Sequence, residues 1–183
     1  MRDLDRWRLV GLNSMLPGSG LAAESEQDAV LQDAVATAGG RKLMVLAHKP
    51  LYLTQPQDTT ATQGALYPEH RARWQALLEP AGGALVLSGH IHEVRTTSWG
   101  RIRQIWAPST AFVMDAAGRS RKRYGIKRPG YLLHGLDGRR HAYEFVEPDG
   151  FLITDLGNWF RDQAGFHARY AVEPLRGLEL AAR

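Results

Sequence analysis

Residues 43–50 read Leu-Met-Val-Leu-Ala-His-Lys-Pro, an uninterrupted apolar run that leads directly into a histidine. A second run, Ala-Leu-Val-Leu at residues 84–87, leads into Ser-Gly-His-Ile-His at residues 88–92. Short apolar runs between turn residues predict strands that are buried on both faces, as in parallel sheets. The carboxyl ends of parallel strands form the edge at which open α/β sheets bind ligands. We therefore expect an α/β fold in which His48, His90 and His92 lie close together at that edge.

The pattern outside these two runs predicts a mixed sheet with flanking helices. A strand is expected at residues 8–12, and helices are expected at residues 24–38 and 68–78. Two antiparallel strand pairs are expected, one at residues 93–99 with 101–106 and the other at residues 131–136 with 139–146. Alternating strands and helices in the first half imply a largely parallel sheet with right-handed crossovers. The dipeptide Asp137-Gly138 is a strong hairpin signal, and a two-residue loop there would place His134 directly opposite His141. That histidine pair could bind a metal ion, but we favour a packed or solvated pair.

Composition limits the classes of function. The chain has 183 residues, no cysteine and a net charge of +4, which excludes disulfides, cysteine-ligated zinc and thiol catalysis. The charge excess permits an anionic substrate but falls short of the field typical of nucleic-acid binders. No apolar run is long enough to span a bilayer, and the start lacks the apolar region of a secretory signal. We expect a cytoplasmic protein without membrane or nucleic-acid partners.

Two segments are expected along the chain. Residues 1–148 are predicted to form one α/β domain, and residues 149–183 are predicted to pack as an aromatic tail on that domain or on a partner. The tail carries Trp159, Phe160, Phe166 and Tyr170.

The three histidines predict a metal site. Imidazole is the commonest metal ligand in proteins, and side chains at i and i+2 point to the same side of an extended segment. Gly89 leaves room for a close backbone approach to a ligand. The alternative is a set of partly solvated loop histidines, but three of them at adjacent strand ends favour metal binding.

These motifs resemble those of the calcineurin-like metallophosphoesterases, in particular the branch related to class III cyclic-nucleotide phosphodiesterases. Residues 89–92 (Gly-His-Ile-His) resemble the family's Gly-His-x-His block, and His48 with Pro50 is similar to its single-histidine block. The resemblance extends over about residues 7–146. Further similar segments are residues 9–14, 106–110, 129–131 and 136–138.

The resemblance implies a phosphoesterase built on a sandwich of two mixed sheets. It implies one or two ions of Zn, Mn or Fe, with His48 and His90 on one ion and His92 on the other. A metal-bound hydroxide would hydrolyse a small phosphomonoester or phosphodiester. The general acid and the residues that bind the substrate are not indicated.

The family's earlier blocks, Asp-x-His, Gly-Asp-x-x-Asp and Gly-Asn-His-Asp/Glu, are absent from the sequence. The chain thus resembles the carboxyl-terminal half of such an enzyme, and the fold expected is a half or rearranged sandwich. Three imidazoles without a bridging carboxylate hold two ions poorly. The carboxylates considered as replacements, each expected to be a solvated charge, are Asp3, Asp5, Asp58 and Glu93.

Several alternatives follow from the missing blocks. The chain could be a non-catalytic metal- or phosphate-binding remnant, or the assembly partner of a separate amino-terminal half; a third interpretation is that Met1 is not the natural start. An uncovered sheet face is an interaction surface. We expect a homodimer through that face, the alternatives being the aromatic tail or the missing half as another chain.

Two loops carry further expectations. The basic residues between positions 119 and 128 are expected to form a solvated loop, with phosphate or nucleotide binding as the alternative. Residues 55–65 follow His48 closely and are either a lid over the site or a surface loop.

Overall fold

A computed structural model of the chain describes residues 1–113, 124–150 and 155–156. Six strands form one mixed sheet, and two more form a separate antiparallel pair. In chain order, the elements are β1 (Arg2–Leu4), β2 (Trp7–Leu12), α1 (Ala22–Ala36), β3 (Lys42–Ala47), α2 (Pro68–Leu78), β4 (Ala84–Ser88), β5 (Arg95–Trp99), β6 (Ile102–Trp106), β7 (Tyr131–Asp137) and β8 (Arg140–Val146).

The sheet has the strand order β1-β2-β3-β4-β6-β5. The four central strands are parallel, whereas β1 and β5 pair with their neighbours in antiparallel fashion at the two edges. The predicted α/β class, both helices and the buried runs that form β3 and β4 are therefore confirmed.

Helices α1 and α2 cover one face of the sheet. Val45 and Val86 point into this layer from the central strands, and Leu31 and Trp74 meet them from the helices. All four side chains are essentially inaccessible to solvent. This layer holds the carboxyl ends of β3 and β4, where the histidines follow, on a rigid base.

The β7–β8 hairpin packs on the other face. Leu132, Leu136 and Tyr143 contact a small core that includes Met44 and Ile105. The hairpin therefore covers part of the sheet face that the missing blocks led us to expect to be bare. Near the carboxyl end of β3, the hairpin does not cover that face, and 41% of Leu46 is exposed.

The loop of the hairpin lies one residue later than predicted, so that the cross-strand partner of each residue changes by two positions. Asp137 pairs with Arg140 and His134 pairs with Tyr143, so that the loop consists of residues 138–139. The predicted direct pairing of His134 with His141 is wrong, because His141 instead lies opposite Leu136. The two rings nevertheless meet along the diagonal of the pair, with His134 Nδ1 2.9 Å from His141 Nε2.

Some expectations fall outside the described residues. They include the four aromatic residues of the tail and the basic positions Arg119, Arg121, Lys122 and Arg123. Among the described residues, no helix combines the length and hydropathy needed to cross a bilayer.

Candidate metal site

The ends of β3 and β4 bring two of the predicted ligands together. Ala47 and Ser88 are the last paired residues of these strands, and the Gly89 N–H donates to the His48 carbonyl at 3.1 Å. The rings of His48 and His90 consequently lie edge to face with their centroids 4.6 Å apart. The expected convergence at this edge is present for these two side chains.

His90 and His92 follow β4 in a backbone conformation that the sequence does not predict. Their φ angles are +67° and +59°, and Ile91 N–H donates to the Gly89 carbonyl at 2.7 Å. The expected extended segment is thus replaced by a tight turn. A left-handed conformation is costly for a residue with a Cβ, about 1–3 kcal/mol each, and such strain is concentrated at functional sites.

Each of these two histidines has a distinct environment. His90 Nε2 lies 3.0 Å from the Gln63 carbonyl, which can only accept a hydrogen bond. The proton is therefore on Nε2, and Nδ1 keeps its lone pair. Burial lowers the pKa of His90, against the opposing effect of this hydrogen bond. His92 packs edge-on against Phe112, with the ring centroids 4.7 Å apart.

His92 carries a buried nitrogen without a hydrogen-bond partner among the described residues. This atom is Nδ1, and buried polar atoms are rarely left in that state. Burial, followed by the nearby His90 and His48, lowers the pKa of His92 and keeps the ring neutral. A neutral ring is the form that binds metal ions.

Buried polar side chains anchor the segment that follows His48. Gln104 Oε1 accepts from Leu51 N–H at 2.7 Å, and Gln104 Nε2 donates to the Tyr52 carbonyl at 3.0 Å. Lys49 N–H donates to Ser14 Oγ at 2.7 Å. Gln104 is not among the residues predicted from the sequence, although a glutamine that shares the buried face of β6 with apolar residues is a signal for a hydrogen-bonding role.

The loop of residues 55–65 reaches the histidines. Besides the contact from Gln63 to His90, a Cβ at Gly64 would approach Ile91 Cδ1 at 3.3 Å and Leu53 Cδ1 at 3.1 Å. The loop therefore packs closely on the turn that carries His90.

Glu93, the carboxylate closest in sequence to the histidines, has a structural role. Its side chain is buried, and Oε2 accepts hydrogen bonds from the backbone N–H groups of Tyr124 and Gly125. Oε1 lies 3.6 Å from Lys127 Nζ. The expectation that Glu93 is a solvated charge is wrong, because it fastens residues 124–127 to the start of β5.

The other three candidate carboxylates are also engaged or distant. Asp58 accepts hydrogen bonds from Thr54 and Thr60 within its own loop. Asp3 pairs with Arg8, whose guanidinium lowers the pKa of that carboxyl. Asp3 and Asp5 lie beside the amino-terminal end of β2, the opposite end from the histidines.

The donor set fits one ion better than two. Among the described residues, no three His, Asp or Glu side chains are placed closely enough to hold an ion as they stand. His48 is exposed and has room to rotate, and His92 Nδ1 has no competing hydrogen bond among those residues. Three imidazoles are a complete protein ligand set for one zinc-like ion, whereas a dinuclear centre needs carboxylates that are absent from this cluster.

Comparisons with known proteins identify the fold and leave the family open. No family model matches the sequence, and no curated protein matches it. Solved structures do match, among them one described as "GAP50 the anchor in the inner membrane complex of Plasmodium", with a TM-score of 0.60 and 16% identity. The match covers 80% of this chain and 47% of that one, so the chain spans about half the length of the GAP50 structure. The likeness shows a shared fold alone.

Proposed function

We propose that this protein is a metal-dependent phosphoesterase that holds one transition-metal ion through His48, His90 and His92. The observation that supports the proposal is the placement of these imidazoles after adjacent parallel strands, with two rings 4.6 Å apart. Ligand sites in open α/β sheets occupy this edge.

The environment of the rings supports a ligand role. The Gln63 carbonyl orients His90 and leaves Nδ1 available, which is how carbonyls behind metal-binding histidines select the tautomer. His92 presents Nδ1 without a hydrogen-bond partner in the described part of the chain. Both residues have a left-handed backbone within one tight turn, and the His90 ring lies against His48 at the end of β3.

The bound ion would supply Lewis-acid polarisation of a phosphoryl oxygen and activation of water at neutral pH. The chain's own part is to bind and orient. Gln104 and Ser14 hold the segment around His48, and the loop at Gln63 and Gly64 limits access of water on one side. The substrate class is a small phosphomonoester or phosphodiester.

A second candidate function is a non-catalytic metal- or phosphate-binding module, or an assembly partner of a separate amino-terminal half. One observation favours it: the carboxylates nearest in sequence are engaged elsewhere, as with Glu93 on the backbone of residues 124–125. GAP50, with which the chain shares its fold, is itself described as an anchor, and the matched part is about half of that protein.

The experiment combines metal analysis with turnover. Purified protein would be loaded with Zn²⁺ or Mn²⁺, and hydrolysis of 4-nitrophenyl phosphate and its bis-ester would be measured with and without EDTA. We expect one ion per chain, EDTA-sensitive turnover, and at least about 100-fold lower kcat/KM in His90→Ala. His141→Phe, a histidine change on the hairpin at the opposite edge of the sheet, is the matched control.

The outcomes separate the candidates. Turnover that ignores EDTA, or survives His90→Ala at the full rate, contradicts the phosphoesterase. One tightly bound ion per chain without turnover supports the binding module. Protein that has no bound metal and no turnover supports the assembly partner.

A further inference from the structure

A cleft of about 900 Å³ lies at the opposite edge of the sheet from the histidines. Its wall includes Lys42 and Ala84, which begin β3 and β4, together with the tip of the β7–β8 hairpin. The six residues of β3 separate this edge from His48 by about 20 Å. The cleft therefore belongs to no part of the proposed metal site.

The charges around this cleft are all positive. Six basic side chains line it, and no acidic residue in the described part of the chain does. The whole chain has a net charge of only +4, so the remainder carries more acidic than basic residues. The six are Arg41, Lys42, Arg101, Arg103, Arg139 and Arg140.

Few of these cations are neutralised within the protein. Five of them have no acidic partner among the described residues: Lys42, Arg101, Arg103, Arg139 and Arg140. Arg41 Nε lies 3.5 Å from an Asp3 oxygen without hydrogen-bond geometry and is otherwise unsatisfied among those residues. Like charges held together without counter-charges repel one another, and an anionic ligand would relieve that repulsion.

Glycine turns leave space for two of the guanidinium groups. Gly39 and Gly82 have φ angles of +60° and +69°. A Cβ at Gly39 would lie 3.2 Å from Arg41 Nη1, and one at Gly82 would lie 3.9 Å from Arg101 Nη1. The Arg41 guanidinium thus lies directly against the backbone of Gly39, and the Arg101 guanidinium lies near that of Gly82.

We propose that this cleft binds a small molecule that carries two or more phosphoryl groups. Arginine matches phosphate geometry with two parallel hydrogen bonds, and several arginines on different elements require several anionic groups on the ligand. The volume lies within the range of small-molecule sites. The cations converge in one concave site instead of extending along a strand-length track, which disfavours a nucleic acid.

The test measures binding of inorganic tripolyphosphate by calorimetry in EDTA and 150 mM salt, where screening suppresses non-specific attraction. We expect Arg101→Ser/Arg140→Ser to weaken binding at least about tenfold. Arg2→Ser/Arg128→Ser removes the same charge away from the cleft and should change the affinity by less than about twofold. Arg103→Ser provides a single-site variant of the cleft.

Comparisons with other probes sharpen the result. Inorganic phosphate should bind at least about tenfold more weakly than tripolyphosphate, and His90→Ala should leave tripolyphosphate affinity unchanged. Equal losses in the cleft and control double variants, equal affinity for the two anions, or tighter binding of a single-stranded oligonucleotide would each overturn the proposal. Because His90→Ala separates the two sites, failure of this proposal is distinguishable from failure of the metal site.

Discussion

Acidification from pH 7.5 to 5.0 should weaken the packing of the hairpin on the sheet through His141. This ring lies between Trp7 of β2 and the hairpin residues His134 and Tyr143. Burial, then the nearby His134, Arg103 and Lys42, lowers its pKa to about 4. Burial also lowers the pKa of His134.

The sign and size of the effect follow from the pKa of His141. Its unfolded value is near 6.5, so below pH 6.5 the unfolded chain takes up a proton that the native ring refuses until about pH 4. The contribution of the neutral His141 ring to the free energy of unfolding is therefore complete above pH 6.5 and is lost as the pH falls from 6.5 to about 4. The loss at pH 5 is about 2 kcal/mol as an upper limit, and solvent screening of this partly exposed ring reduces it to about 1 kcal/mol.

Urea unfolding followed by tryptophan fluorescence at pH 7.5 and 5.0 measures the loss. His141→Phe keeps a ring in the site but removes the titrating group, so we expect it to lose about 1 kcal/mol less than the wild type on acidification. His70→Gln, on the helical side of the sheet, is the control. If His141→Phe loses as much stability as the wild type, the charge state of this ring does not govern the hairpin.

Three further outcomes are expected. Gln104→Leu should lower the free energy of unfolding by about 2–4 kcal/mol, because it removes the hydrogen bonds to the Leu51 N–H and the Tyr52 carbonyl. Denaturant titration measures this change, and a loss below about 0.5 kcal/mol would contradict the anchoring role of Gln104. Glu93→Gln should cost about 2–4 kcal/mol, because it removes the buried negative charge that strengthens the hydrogen bonds from two backbone N–H groups and faces Lys127 Nζ. Metal content should nevertheless stay at one ion per chain, and a fall in metal content would contradict the purely structural role of Glu93. Light scattering at micromolar concentration should give a homodimer that Leu46→Glu dissociates, since Leu46 is exposed where the hairpin leaves the sheet open; a wild-type monomer would refute this.

The fold was predictable where local composition alone determines the structure. The apolar runs of β3 and β4 admit few alternatives, since strands buried on both faces need that composition. The hairpin register was not, because Asp137-Gly138 supports more than one loop. Trp7 Nε1 donates to the Gly138 carbonyl at 2.9 Å across 131 positions, a tertiary contact without a local signal.

The candidate site was predictable in its position but not in its detailed geometry. That His48 and His90 would meet follows from parallel strands alone. The left-handed backbone of His90 and His92 does not, because non-glycine residues with positive φ are stabilised by their surroundings. The role of Glu93 likewise depends on residues more than 30 positions away, and neither effect has a short-range sequence pattern.

The titrating ring of the hairpin belongs to the lining of the cationic cleft. His141 lines the cationic cleft, and Arg103 and Lys42, which help to depress its pKa, line the same cleft. A polyphosphate between these side chains would offset their positive field and raise the pKa of His141 towards its ordinary value. By linkage, the free energy of unfolding would then decrease less for each unit of pH on acidification. The same pH titration in saturating tripolyphosphate should therefore be shallower than in its absence, whereas an unchanged slope would mean that the anion does not reach Lys42 and Arg103.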